Sequence, residues 1–321
     1  MTASIRTGLQ SAARHPKLVC LLWAWYGLLA LVPALPAWTW WNGVLGYSPE
    51  AASALTRFDL GVFLDLTISE GVSGLRLLTG AAAVAVMIAF VSSAFAFGGI
   101  LEVLAGDGEP RSFMHRFFRG GGHFFWRFFR LALIAGVCLV IATGAVSALV
   151  TGVTAPMRES EWEPAGYLAG IVSIAPLVVV AALFLLALDY ARIRVSRDDS
   201  RSMLKAYASG LGFVMRRPVP AYGIAIPFVG ALAILAALYL AYETNAPAAG
   251  SWAAIALMFL LQQGVVLGRV FLRVGLVGAE RQFHVTALPK PVPLAVDEIP
   301  APAPSAPDQS TPPEGDQIPT L

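Results

Sequence analysis

Six apolar stretches, each long enough to cross a bilayer, leave this chain few ways to fold. They cover about residues 18–41, 77–101, 131–155, 167–189, 219–242 and 251–274. A helix needs about 20 apolar residues to traverse about 30 Å of hydrocarbon. Each stretch is apolar on every face, as expected where lipid or other helices surround it. Backbone groups in lipid must bond within their own segment, so these stretches are helices. The rest of the composition agrees. Only 13% of the 321 residues are charged and 57% are hydrophobic, against about 25% charged in soluble domains. A water-facing exterior could not hold this much apolar surface.

Cationic residues set the orientation. Nineteen of the 22 lysines and arginines fall on the N-terminal arm, the second and fourth connections, and the end of the last span with its tail. The opposite side receives Arg57, Arg76 and Arg158, with eight acids from Glu50 to Glu243. The split holds at every crossing, which predicts both termini in the cytoplasm of a bacterial inner membrane. Trp38, Trp40, Trp41, Trp162, Tyr242 and Trp252 fall near the outer boundary, and Trp126 and Tyr190 near the inner one, where amphipathic rings are favoured. The first stretch follows Arg6, Arg14 and Lys17 as a signal peptide would, but it is too long and ends in three tryptophans. Cys20 and Cys138 lie inside apolar runs and read as core residues, not as a disulfide framework.

The connections have distinct characters. The first outer loop, 42–76, carries a helix-start signature at Ser48-Pro49-Glu50 and an apolar stretch at 58–66. The first inner loop is basic and aromatic. Phe113/Phe117 and Phe125/Phe129 pair at i,i+4, with Gly120–Gly122 between the two halves. We expect a helix lying in the headgroup plane, with Arg116, Arg119, Trp126, Arg127 and Arg130 on anionic lipid. Aromatic–basic mixtures also stack nucleic-acid bases, but the flanking spans pin this one to a membrane, and no nucleic-acid partner is expected. The second inner loop, 192–218, reads as helical from the spacing of Met203, Leu204, Tyr207, Leu211 and Val214. Residues 276–321 are expected to form a disordered cytoplasmic tail, proline-rich and acidic from Leu288 onward.

An internal repeat runs through the chain. Leu9-Gln-Ser-Ala-Ala-Arg-His-Pro16 enters the first span, Leu211-Gly-Phe-Val-Met-Arg-Arg-Pro218 enters the fifth, and 113–130 enters the third without a proline. Each segment is amphipathic and leads a span out and a span back. The predicted fold is therefore an all-α membrane bundle: residues 1–17 form a cytoplasmic amphipathic arm, and 18–275 form six transmembrane helices in three parallel hairpin repeats. The pattern of Arg-His-Pro16, Arg-Arg-Pro218 and Asp189-Tyr190-Ala-Arg192 resembles a loose group of uncharacterised bacterial six-helix membrane proteins. That group includes the membrane domain attached to some glycerophosphodiester phosphodiesterases. The resemblance covers about residues 5–285. It implies the fold and transfers no active site, since no soluble phosphodiesterase domain is present.

Ionisable groups near the inner ends of spans are costly and should be paired. Glu102, Asp189, Arg192, Arg269 and Arg273 are expected to form one cytoplasmic-side charge cluster. It would serve as an ion-pair latch that orients the helices, or as the mouth of a solute path; we favour the latch. Gly166/Gly170 and Gly264/Gly268 offer close helix approach. Pro33, Pro36, Pro176 and Pro227 should kink their spans, or else break them as in transporters. Gly71-Val-Ser-Gly74 matches a short intramembrane-protease motif, but all four histidines sort to the opposite side from Ser73, leaving it no base. No metal, nucleotide or cofactor motif is present, and an enzyme is not expected. A scaffold, envelope or lipid-organising component is the leading expectation. A transporter or channel for a small or amphipathic solute is the alternative. Membrane lipids, anionic at the cytoplasmic leaflet, are the expected partners, with a membrane-protein partner or a second copy left open.

Overall fold

The computed structural model describes residues 1–45, 71–106, 112–158, 163–198, 200, 202–245 and 252–288. The first outer loop from residue 46 to 70, Arg111, Arg201 and the proline-rich tail lie outside these residues. Among the described residues there are eight α-helices and no strand. They are α1 (Thr2–Arg14), α2 (Pro16–Leu45), α3 (Gly71–Ala105), α4 (Phe113–Arg158), α5 (Glu163–Asp198), α6 (Met203–Arg216), α7 (Pro218–Asn245) and α8 (Trp252–Ala287). Six of them, α2, α3, α4, α5, α7 and α8, are long and apolar enough to cross a membrane. The fold is thus an all-α, multi-pass membrane bundle. Its compact unit is Met1–His284.

The helices overrun the predicted spans, chiefly at the arginine-rich end. α5 continues past Asp189 to Asp198, and α8 continues past Val274 to Ala287, so residues 276–287, expected in a disordered tail, are helical and partly buried in the core. The packed core lies at this basic end. It includes Leu18 and Leu22, Phe97 and Leu101, Phe117, Phe128 and Leu131, Tyr190 and Ile193, Val214, Ile224 and Phe228, and Val270, Val274 and Val277. Toward the other end most large apolar side chains are exposed, such as Leu35, Val140, Ile171, Leu238 and Leu260. That is stable only with lipid as the solvent. The α4–α5 hairpin keeps a small buried group there, at Val150, Thr154, Ala165 and Ala169.

Proline decides how each amphipathic segment joins its span. α1 ends before His15 and α2 starts on Pro16; α6 ends before Arg217 and α7 starts on Pro218. A proline clashes with a helical residue before it but suits the first position of a new helix. In α4 the corresponding residue is Phe128, and the helix runs unbroken for 46 residues through Gly120–Gly122 into the span. The expectation of a separate helix in the headgroup plane is corrected here: this segment is the first 18 residues of one 46-residue helix that continues into the span. By contrast Pro33, Pro36, Pro156, Pro176 and Pro227 lie inside continuous helices, so no span breaks at them.

The repeat is real in three dimensions and closes on itself. Gly8, Gly120 and Gly210 each stand eight residues before Pro16, Phe128 and Pro218. Each presses on a carbonyl oxygen, and on the side chain four residues further, of an even-numbered span. A β-carbon on Gly120 would sit 2.7 Å from the Gly98 oxygen and against the Glu102 β-carbon. On Gly210 it would sit 2.5 Å from the Ala187 oxygen and 3.0 Å from the Ala191 β-carbon. On Gly8 it would meet the Gly275 oxygen and lie 2.8 Å from the Ala279 β-carbon. So α4 docks on α3, α6 on α5, and α1 on α8. Each leading segment grips the hairpin before it; for the first unit that hairpin is the last one, and the ring closes. Backbones approach this closely only where a β-carbon is missing. Of the pairs named from sequence, Gly166, Gly170 and Gly264 have no neighbour within 4 Å of a β-carbon, and Gly268 meets the Leu235 side chain at 2.7 Å but no backbone.

Hydrogen bonds seal the same ring. Trp23 Nε1 of α2 donates to Gln263 Oε1 of α8 at 3.1 Å, and Trp25 Nε1 to Ser92 Oγ of α3 at 3.3 Å. The last carbonyls of α3, which no helical N–H reaches, accept from two arginines. Arg281 Nη1 donates to the Leu104 oxygen at 2.7 Å, and Arg116 Nη1 donates to the Gly106 oxygen.

Candidate functional site

Three even-numbered spans meet in an ionic cluster inside the basic end. α5 brings Asp189 and Arg192, one turn apart; α8 brings Arg273; α3 brings Phe97. Arg273 holds Asp189 with both terminal nitrogens, Nη1 to Oδ2 at 2.8 Å and Nη2 to Oδ1 at 3.0 Å. This two-pronged geometry is the strongest that an arginine and a carboxylate adopt. Arg192 Nη1 lies 3.5 Å from Asp189 Oδ1. Both guanidinium groups sit over the Phe97 ring, Arg192 at 4.7 Å and Arg273 at 5.8 Å from its centroid. The ring's negative face takes up charge that one carboxylate cannot balance.

The cluster divides the five residues predicted for it. Asp189, Arg192 and Arg273 come together. Glu102 does not join them: its β-carbon lies under Gly120 in the docking contact between α3 and α4. Arg269 stands one turn before Arg273, is exposed, and makes no ion pair among the described residues. Sequence reading missed Glu280. Its side chain is fully buried, within electrostatic range of Asp189 and Arg273, and neither carboxylate oxygen accepts a hydrogen bond among the described residues. Tyr190, also fully buried, leaves its hydroxyl unpartnered in the same region, and His284 lies against the rings of Tyr190 and Phe213. Seven residues after Arg273, Glu280 shares its helix face. That spacing was the available signal.

The predicted headgroup residues separate in the same way. Arg116 is committed to the α3 terminus through Gly106. Arg119, Trp126 and Arg130 are exposed, and seven and four residues apart they fall on one face of α4. Arg130 lies over the Trp126 ring at 5.5 Å. Arg127 is half-buried. Met114 and Phe118 are also exposed, nearer the start of the helix.

Beside the ionic cluster lies an open cavity of about 290 Å³ between α7 and α8, bordered by Tyr26 of α2 and lined by Phe228, Leu232, Arg269, Arg273 and Leu276. A second, of about 340 Å³, lies between α2 and α3 and is lined by Leu22, Trp25, Ser92, Phe95, Ala96 and Phe118. Among the described residues no group of three or more histidines, cysteines, aspartates or glutamates is placed to hold a metal. The cysteines are free, Cys20 exposed and Cys138 half-buried.

The arrangement can hold helices together and present cationic, aromatic surface. No family model, no curated protein and no solved structure matches this chain.

Proposed function

We propose that this protein is a non-enzymatic membrane component whose basic end faces the cytoplasm and gathers anionic lipid around a rigid collar. The observation that carries the reading is the collar: three amphipathic segments, each locked by a glycine to a neighbouring span, with Arg119, Trp126 and Arg130 exposed on one face. A rigid surface of this kind holds cations toward the basic end, where an anionic leaflet attracts each nearby cation by about 1 kcal/mol. The segregation of nineteen of the 22 lysines and arginines supports cytoplasmic placement of that end. The Asp189–Arg273 pair acts in this reading as a latch. A scaffold needs its spans held in register, and a carboxylate closed by two guanidinium groups has no free valence for a solute.

The test is purification of the full-length protein from native membranes, followed by mass spectrometry of retained lipids and proteins. The expected result is enrichment of anionic over zwitterionic phospholipid, reduced in an Arg119→Gln/Arg130→Gln variant. A retained small solute, lost on Asp189→Asn, would move the protein to the transporters. Tags at the two chain ends are expected on the same, cytoplasmic, side.

A further inference from the structure

The three docking contacts set the repeats in register, and that register exposes an asymmetry. Gly98, Ala187 and Gly275 occupy the same place in α3, α5 and α8. Two residues before them stand Ala96, Leu185 and Arg273; six before them stand Ser92, Ala181 and Arg269. The cavity between α2 and α3 is lined by Ser92 and Ala96, and the one between α7 and α8 by Arg269 and Arg273. The two cavities are the same groove in two repeats. One carries no charged side chain; the other holds two guanidinium groups. The fold therefore does not require arginine at this place.

Arg273 is explained in part by Asp189, yet it remains 41% exposed and has donors left over. Arg269 is not explained by any partner among the described residues. Its depth is informative. From Trp252, 87% exposed at the start of α8, to Arg269 the helix rises about 26 Å at about 1.5 Å per residue. That places the guanidinium near the far edge of a hydrocarbon layer about 30 Å thick, at headgroup level. Below it, toward the middle of the bilayer, the groove continues as apolar wall: Val229 and Leu232 in this cavity, then Leu235, Leu238 and Leu261 in the next one along α7 and α8. Tyr26 adds a hydroxyl beside the arginines.

We infer that the α7–α8 groove binds one anionic phospholipid, its phosphate on Arg269 and the free donors of Arg273 and one acyl chain along Leu232 and Leu235. Charge complementarity names the occupant: two cations at headgroup level above an apolar trough match a phosphate joined to a hydrocarbon chain, and a zwitterionic headgroup would bring its own cation to them. This deepens the proposed lipid-gathering role and rests on it, but concerns a single site distinct from the exposed α4 face.

Native mass spectrometry of the full-length protein, titrated with phosphatidylglycerol or phosphatidylcholine in detergent, tests the inference. The expected result is one tightly retained phosphatidylglycerol per chain, bound about tenfold more weakly by Arg269→Gln, as when one charge-assisted hydrogen bond is lost. Arg269→Lys should recover part of the affinity. Leu232→Trp, which fills the trough, should weaken the lipid and not inorganic phosphate. Arg119→Gln/Arg130→Gln should leave this one lipid in place. Equal retention by wild type and Arg269→Gln, with loss in the α4 variant, overturns the site and leaves the collar reading standing. Displacement of the lipid by millimolar phosphate, with no effect of Leu232→Trp, overturns the lipid in favour of a simple anion site. No preference for phosphatidylglycerol in the wild type overturns both.

Discussion

Asp189 of α5 and Arg273 of α8 lie 84 residues apart in the chain and 2.8 Å apart in space. Their contact joins two of the three repeats at the point where the packed core begins. The aspartate is almost wholly buried; the arginine is partly open to its surroundings. Removing the arginine strands a buried carboxylate with only Arg192, 3.5 Å away, for relief.

Arg273→Ala is therefore expected to lower stability by about 2–4 kcal/mol, toward the lower part of the range for a broken buried pair because Arg192 remains. Thermal melting in detergent, followed by tryptophan fluorescence, measures it. Arg269→Ala, one turn away and unpaired, should melt within about 0.5 kcal/mol of wild type. Equal losses at the two positions would show that the latch is not an ion pair.

Glu280 gives the opposite expectation from Asp189. Both are buried carboxylates, but among the described residues only Asp189 has hydrogen-bond donors. Glu280→Gln preserves shape and removes an ionisable group that has no partner to lose. Its melting temperature at pH 7 should equal or exceed that of wild type, while Asp189→Asn should fall. A clear loss at Glu280→Gln would show that its carboxylate makes a contact the static geometry does not display.

The docking glycines can be tested against glycines on the same helices. Gly8→Ala, Gly120→Ala and Gly210→Ala each push a methyl group into a neighbouring helix and should cost about 1–3 kcal/mol. Gly122→Ala in α4 and Gly212→Ala in α6, with open space around the new methyl group, should be neutral or slightly stabilising, as alanine favours helix. If all five behave alike, the three contacts are not what holds the collar.

Tyr207 predicts an alkaline limit. Its hydroxyl, on α6, donates to the Phe184 carbonyl of α5 at 3.4 Å, and burial pushes its pKa up to about 12. Folding thus keeps a proton that the unfolded chain releases from about pH 10. Below pH 10 both states hold the proton and this group adds no pH dependence; above it, stability falls as pH rises, up to the folded value. Melting between pH 8 and pH 11 should show this fall, and Tyr207→Phe should reduce it while costing about 1 kcal/mol at pH 8 for the lost hydrogen bond.

Much of this molecule could be read from the chain. The spans are legible because lipid demands long, unbroken apolar runs, and the repeat is legible at Pro16 and Pro218 because a proline entering a helix marks its first turn. Gly8 and Gly210, the residues that make the contact, stand one residue before the legible stretches, which begin at Leu9 and Leu211. A glycine in a helix is ambiguous in sequence, since its value depends on which backbone comes close. Gly166, Gly170 and Gly264 had the better-known spacing and no neighbour.

The candidate site shows the same division. The presence of Asp189, Arg192 and Arg273 near span ends announced that cations and an anion would meet. Which of them meet, and that Glu102 and Arg269 stay outside the pair, depends on the rotation of each helix about its axis. Over a helix that is apolar all round, the sequence carries no preferred face from which to read that rotation.

By itself, then, the sequence determined the solvent, the number of crossings and the sorting of charge to one end, because each is a property of a segment and its transfer from water to lipid. Tertiary structure alone decided that α1 closes the ring on α8 and that Arg269 faces a groove instead of a carboxylate. Those outcomes are set by backbone approach and side-chain direction between segments far apart in the chain, and no local pattern of residues encodes them.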